Sequence, residues 1–367
     1  MVLLALGAPL ALLVWLYLVL LHGRFWASGP ELAPAQPAHA PPVDIVVPAR
    51  DEAASIGPVI ASLLAQQYAG AVRVILVDDN SSDGTAERAG RDPRLTVLTG
   101  RAKPVGWSGK LWAVSQGVAA GAAPLVLLTD ADILHDVRHL ASLVAKLEAE
   151  ALDQVSEMVA LRCESLAERA LVPAFVYFFQ MLYPFAKVND PASRTAAAAG
   201  GTVLIRRTAL ERIGGIEAIR GALIDDVALA RAVKPGGAIY LGHSGLARSI
   251  RPYPQFRDVW RMIARTAFTQ LDYSPLWLLA TLLGMLLVWW VPPLAALRGT
   301  GAVRVAGATS SLLAAASYLP TLRRYRRPGL WALALPGIAL FYMAATLGSA
   351  IDHWRGEGAR WKSRTYA

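Results

Sequence analysis

Residues 72–85 read VRVILVDDNSSDGT. A β-branched apolar run ends here in two acids and a cluster of turn formers. A short apolar run closed this way reads as a strand buried in a parallel sheet. The pattern recurs at Val43–Pro48 (VDIVVP), Leu95–Leu98, Leu125–Asp130 (LVLLTD) and Met158–Cys163. Between these runs, Ser55–Gln67, Gly109–Ala120 and Asp136–Glu150 read as helices. Strands alternating with helices predict parallel βαβ units and an α/β fold. In such sheets ligands bind beyond the carboxyl ends of the strands. The acids at 78–79 and 130–132 fall there.

Apolar segments flank this block. Residues 2–21 (VLLALGAPLALLVWLYLVLL) carry no charged side chain, and a bilayer span needs roughly 20 such residues. A signal peptide would want a basic start and a shorter apolar core, so an uncleaved anchor is expected. Residues 27–42 hold five prolines and read as a semi-rigid linker. Three more apolar stretches follow at 276–297, 302–320 and 329–351, the middle one weakened by Arg304 and its Ala and Ser content. Arg24 and the loop Arg323-Arg324-Tyr325-Arg326-Arg327 place the intervening block on the cytoplasmic side, because short basic loops stay there. Three late crossings would put Arg355, Arg360, Lys362 and Arg364 outside. Either the charge rule fails at this tail, or one segment, such as 329–351 with Pro336-Gly337, folds back without crossing.

Composition agrees. Of 367 residues, 55% are hydrophobic and 17% charged, against about 45–50% and about 25% in soluble domains. That excludes a disordered, fibrous or purely soluble chain. A single cysteine, Cys163, permits neither an intrachain disulfide nor a cysteine-based zinc site, and it reads as a small core residue in a strand. Six histidines are scattered without an HExxH pattern, and His135, His139 and His243 read as surface or supporting residues rather than ligands. Thirty-six Lys and Arg against 27 Asp and Glu give a net charge of +9. This charge suits anionic lipid or a phosphorylated substrate. No nucleic-acid motif accompanies it, and no nucleic-acid partner is expected.

The acids carry the chemistry. Asp78 and Asp79 can accept hydrogen bonds from a ribose or a base edge, or can simply make a turn, with Ser82 or Asp83 capping the next helix. Asp130 and Asp132 in Thr129-Asp130-Ala131-Asp132 can both reach one hard cation, Mg²⁺ or Mn²⁺. Lys103 to Lys110 (KPVGWSGK) is a Gly-containing loop entering a helix, suited to anions. Asp225-Asp226 opens a helix; it serves either as cap or as general base. Gly200-Gly201 allows close backbone approach to a ligand or makes a turn. Residues 255–271 put Phe256, Val259, Trp260, Ile263, Phe268 and Leu271 on one helical face and Arg257, Arg261 and Arg265 on another. That face either lies in a headgroup layer or packs into the core. Ala170–Val188 is a buried helix or the wall of a lipid groove.

In order, VPARDE (47–52), VDDNSSDGT (77–85), GKLWAVSQG (109–117), TDAD (129–132), GGTVLIRRTALERIGG (200–215) and IDDVALA (224–230) resemble a family 2 glycosyltransferase of GT-A fold. Membrane enzymes similar to ceramide glucosyltransferase, and above all the hopene-associated group, share GWSGKLWA (106–113), the 260–271 stretch and the flanking apolar segments. The resemblance implies a Rossmann-like, mostly parallel catalytic domain over 43–252, preceded by an anchor (1–22) and linker (23–42). An interfacial helix (253–274), three membrane segments (275–351) and a basic tail (352–367) would follow, in a bacterial-type cell membrane.

It implies a nucleotide-sugar donor held by Pro48, Arg50, Glu52, Asp78, Asp79, Lys103, Lys110, Asp130, Gly201 and Arg265. Asp130 and Asp132 would hold the divalent metal. Asp226, beside Asp225, would deprotonate a membrane-lipid hydroxyl in an inverting transfer. Where ceramide-type relatives carry (Gln/Arg)-x-x-Arg-Trp, this chain has Met262 to Thr266 and keeps only Arg265, which leaves the acceptor open: hopanoid-type, ceramide-like or polyprenyl phosphate. A sugar nucleotidyltransferase would lack the Asp226-type base and the spans. A catalytically silent lipid- or nucleotide-binding scaffold would not need all these acids.

Overall fold

A computed structural model of the chain describes residues 2–357, 360, 361, 364 and 365. The tail's Lys362 lies outside the described residues. The strands are β1 (Val43–Ala49), β2 (Val72–Asp78), β3 (Leu95–Thr99), β4 (Leu125–Thr129), β5 (Ile133–His135), β6 (Gln154–Ala160), β7 (Thr202–Arg206) and β8 (Ile239–Ser249). Among the described residues they form one eight-stranded sheet in the order β3-β2-β1-β4-β7-β6-β8-β5. The first four strands are mutually parallel, as the alternation predicts. β7 runs antiparallel to both β4 and β6, and β5 runs antiparallel to β8. The fold is therefore α/β and mostly, not wholly, parallel.

The departure has a packing cause. A parallel neighbour needs a crossover that packs back on the sheet. The helix after β6, Leu166–Leu182, packs instead against the linker and the apolar helices, where the Tyr177 ring lies tilted 5.0 Å from Tyr318 and 5.5 Å from Phe25. The chain then returns to the sheet through short and extended pieces. β6 also begins and ends earlier than the expected Met158–Cys163 run, overlapping it only at 158–160. Cys163 consequently sits beyond the strand, half-buried. The stretch Ala170–Val188 holds this largely buried helix and the short helix Phe185–Asn189.

Register places the acids. Val43 of β1 pairs with both Val72 of β2 and Leu125 of β4. Parallel strands in this register end together, so Asp78, Asp79 and Asp130 leave the sheet at one edge. The first helices form where expected, at Ile56–Leu64, Gly109–Ala119 and His139–Ala149. Ser108 caps the second, its hydroxyl accepting from Leu111 N at 3.2 Å.

Three helices are long and apolar enough to cross a membrane: Leu3–Leu20, Pro275–Arg298 and Gly329–Trp354. The expected 302–320 segment is the 24-residue helix Gly301–Arg324; it is less apolar than the other three. Trp15 fastens the first helix to the second by donating to Val288 O at 3.0 Å. Val288 O is available because Pro292, one turn on, has no N–H. The proline-rich stretch before β1 lies on the α/β block: His243 N donates to Pro30 O at 2.7 Å and Leu32 N to His243 O at 3.2 Å. Tyr68 Oη donates to Pro41 O at 2.5 Å.

Gly117 explains the last residue of GKLWAVSQG. A Cβ there would collide with Val46 and stand 3.1 Å from Val77. Gly117→Val should lower stability by about 1–3 kcal/mol through overpacking between helix and sheet. A shift of the denaturant midpoint at unchanged slope would show it.

Candidate active site

One ammonium organises the crevice at the carboxyl edge. Lys110, in the first turn of the Gly109–Ala119 helix, reaches Asp130 Oδ1 at 2.9 Å and Asp225 Oδ2 at 3.0 Å. Asp130 comes from the end of β4, and Asp225 opens the Asp225–Val233 helix. Burial opposes the charge on Lys110, but the two carboxylates hold its pKa above the ordinary lysine value. Asp130 is raised by burial and by Asp132, and Lys110 counteracts them.

Asp226 lies beside this bridge and lines the same crevice as Pro48, Lys110 and Asp130. Its Oδ2 accepts from Gly200 N at 2.7 Å and its Oδ1 from Val227 N at 2.8 Å. Burial and then Asp225 push its pKa up to about 6, while Lys110 pulls the other way. A Cβ at Gly200 would sit 3.2 Å from Asp226 Oδ2 and crowd the carboxylate. Gly201 plays a different part. Its carbonyl accepts from Thr129 Oγ1 at 2.8 Å, which fixes the backbone just before Asp130.

A second cation holds Asp132. Arg251 Nε reaches Asp132 Oδ2 at 2.6 Å, and Arg251 Nη2 reaches Glu52 Oε1 at 2.6 Å. Glu52 is near Arg50, whose Nη1 donates to Asp79 O at 2.6 Å and lies 3.3 Å from Asp79 Oδ2. Asp78 holds the turn that follows, accepting from Ser81 N at 3.1 Å and from the Ser81 hydroxyl. Asp83 accepts from Thr85 N at 3.1 Å just ahead of the next short helix, whose N-cap is Gly84 and not the expected Ser82 or Asp83. The expected acids of β1, β2 and β4 thus meet along one rim, joined to Asp225 and Asp226 through Lys110.

Two expected donor-site residues stand apart. Lys103 turns back on its own loop, donating to Trp107 O at 2.9 Å. Arg265 is exposed one residue past the Phe256–Ala264 helix. Its charge reaches Tyr253, whose pKa burial raises and Arg251 and Arg265 lower. Arg251 and Tyr253 are absent from the sequence reading. A lone arginine after a strand has no local pattern. The one signal is Arg-Pro-Tyr-Pro (251–254) immediately beyond β8. Tyr253 is held by the start of the Leu166–Leu182 helix, its N–H donating to Glu168 Oε1 at 2.7 Å. Glu168 closes a capping box with Ser165 at the start of Leu166–Leu182.

The three histidines are buried rather than at the surface. His135 Nε2 lies 3.0 Å from Thr129 Oγ1, its Nδ1 2.8 Å from His139 Nδ1, and His139 Nε2 2.7 Å from Glu157 Oε2. This chain of contacts buttresses the end of β4. His243 packs under the proline-rich stretch, 3.0 Å from Gln180 Oε1.

Among the described residues no three His, Cys, Asp or Glu side chains gather in a metal-binding group. Asp130 and Asp132 still fit Mg²⁺ or Mn²⁺. These ions take one or two hard carboxylates and fill the remaining positions with water and phosphate oxygens.

Residues 44–214 match the model of glycosyl transferase family 2. They form a glycosyltransferase family 2 domain. Over 114 residues the chain is 32% identical to an N-acetylglucosaminyltransferase of Bradyrhizobium elkanii, covering 29% of this chain and 60% of that relative. The chain thus spans less than two thirds of that relative's length. In structure the chain is similar to the mannosyltransferase PcManGT of Pyrobaculum calidifontis, solved with GDP-Man and Mn²⁺. The TM-score is 0.58 at 20% identity, over 98% of each chain. That likeness is one of fold, and it extends the shared architecture from the family 2 domain to the apolar helices.

Removing the ammonium should expose the crowding of the acids. In Lys110→Met, Asp130, Asp225 and Asp226 face one another without their cation. Carboxyls raised in the folded state favour folding when protonated, and that advantage is lost as pH rises through their folded pKa. The variant should therefore melt closer to wild type at pH 5 than at pH 8. Thermal melts at both pH values test this.

Proposed function

We propose that this chain is a membrane-bound glycosyltransferase that moves a sugar from a nucleoside-diphosphate donor to a hydroxyl of a membrane lipid, with inversion at the anomeric carbon. The observation that carries this reading is Asp226 set beside the Lys110 bridge to Asp130, at the edge where β1, β2 and β4 end. The family 2 domain supports the reaction class. The apolar helices support a lipid acceptor. The motif resemblance favours a polycyclic, hopanoid-type acceptor and a UDP-linked donor.

In the transfer, the acceptor oxygen forms a bond to the anomeric carbon as the bond from that carbon to the diphosphate oxygen breaks. The electron pair leaves with the nucleoside diphosphate, and the hydroxyl proton passes to a carboxylate oxygen of Asp226. A base with a pKa near the working pH suits this role. Asp79, Asp78 and Arg50 border the place for the nucleoside. Lys110 and Arg251 supply positive charge toward the diphosphate in a partly dry crevice. Asp130 and Asp132 would hold the divalent cation, whose chemistry is charge stabilisation on the departing diphosphate. Asp225 holds Lys110 in place beside the base.

The test uses purified protein, a panel of nucleotide sugars with Mg²⁺ or Mn²⁺, and membrane lipid extract. A glycolipid product is expected. Asp226→Asn should keep donor affinity while kcat falls about 10²–10⁴-fold, the usual size of a general-base contribution. Turnover at the wild-type rate would refute the assignment. Because Asp226 must be ionised to take the proton, kcat/KM should rise with pH through about 6 and level off above it.

A further inference from the structure

The apolar helix Gly329–Trp354 meets the length and composition of a membrane span. Its contacts say otherwise. It begins beside the carboxyl end of Gly301–Arg324, where Gly329 approaches Leu319 Cδ2. That end is fastened to the linker that lies on the α/β block: Arg324 donates to Ser28 Oγ at 3.0 Å and pairs with Glu31 at 2.9 Å, and the neighbouring Pro30 and Leu32 are bonded to His243 of β8. The far end of Gly329–Trp354 arrives where the chain leaves the block for Pro275–Arg298. Phe268 N donates to Ser349 Oγ at 3.1 Å, and the His353 ring stacks on Tyr273 at 4.5 Å. Ala350 shares a buried cluster with Phe268 and Leu278.

The middle touches the block's helices as well. Tyr342 Oη donates to Leu171 O at 2.8 Å. The Phe341 ring lies 5.6 Å from Trp260. Gly348 lies against Trp260, where a Cβ would come within 2.7 Å of its Cζ2. A helix crossing a bilayer rises about 30 Å and leaves the starting side behind. This helix meets the block side at its start, middle and end.

Resting on the membrane reading above, we propose that Gly329–Trp354 lies along the bilayer surface and does not cross it. It forms, with Phe256–Ala264, a two-helix pad against the headgroup layer on the side of the cleft. The crossings are then Val2–Leu20, Pro275–Arg298 and Gly301–Arg324.

The last of these can span despite its polar residues, because they are bonded within the protein. Ser310 and Ser311 donate to Ala306 O at 2.8 Å and Gly307 O at 2.9 Å. Tyr177 Oη lies 2.7 Å from Ser317 Oγ. Gly307 lets the backbones meet, since a Cβ would be 2.6 Å from Pro292 O. The charge pattern agrees: Arg24, Arg323, Arg324, Arg326, Arg327 and Arg355 all fall on the block side, and only Arg298 and Arg304 flank the opposite turn. The exposed Arg257, Arg261 and Arg265 give the pad a basic edge for anionic headgroups.

The experiment is cysteine accessibility in sealed vesicles. In a Cys163→Ser background, single cysteines are placed at Arg91 on the block, Thr300 at the opposite turn and Glu357 after the helix. Each variant is checked for a melting temperature like the parent's. A membrane-impermeant maleimide should label the Arg91→Cys and Glu357→Cys proteins from one face and the Thr300→Cys protein only from the other. Labelling of Glu357→Cys together with Thr300→Cys, opposite to Arg91→Cys, would overturn the surface placement and leave the membrane reading standing. Labelling of all three from one face would refute the crossings themselves and this placement with them.

Discussion

The site depends on keeping several carboxylates together in a poorly hydrated crevice without letting them repel one another apart. Two cations meet this constraint. Lys110 ties the end of β4 to the start of the Asp225–Val233 helix, and Arg251 ties Asp132 to Glu52. At such separations a charge pair is worth several-fold more near a protein interior than in water. The acids are therefore held in place by side chains of this chain alone. It also presents both signs of charge at one place: acids that suit a hard cation and bases that suit a diphosphate. Asp226 stands at the margin of this network. It receives two backbone N–H groups and no side-chain cation of its own among the contacts described. Burial, and then the neighbouring Asp225, leave its carboxyl less acidic than an ordinary aspartate.

Much of this was legible before any coordinates. β1 to β4 and the helices between them follow from apolar runs that end in turn formers, because strand, turn and helix there are consecutive in the chain. The acids were legible for the same reason, since each sits where a run stops. What the pattern missed is what tertiary contact alone decides. β5 spans only Ile133–His135, too short for periodicity to register. β6 begins at Gln154, and the polar Ser156 and Glu157 inside it are buried and mask the strand. Glu157 is tolerated there because His139 and Ser244 bond it. The direction of β7 follows from where the Leu166–Leu182 helix is spent, against the aromatics of the apolar helices and linker instead of the sheet. Arg251 reaches across 199 positions to Glu52, and no local spacing announces such a pairing. The amphipathic stretch expected over 255–271 is helical only from Phe256 to Ala264; Phe268 and Leu271 lie beyond it in another cluster, and the cover of the helix was not legible. Val259 and Ile263 are buried by protein, and the three arginines remain outside.

The proline-rich stretch between the first apolar helix and β1 looks, by composition, like a spacer. In the fold it is nailed down along its length, at Pro30 and Leu32 by His243, at Ala35 by Ser142 and at Pro41 by Tyr68. A loose tether would let a catalytic head sweep a hemisphere above its anchor. A pinned one gives it a fixed working height. On the membrane reading proposed above, a cleft held in that way would meet a lipid acceptor at one constant depth, as the acceptor diffuses laterally within a thin layer.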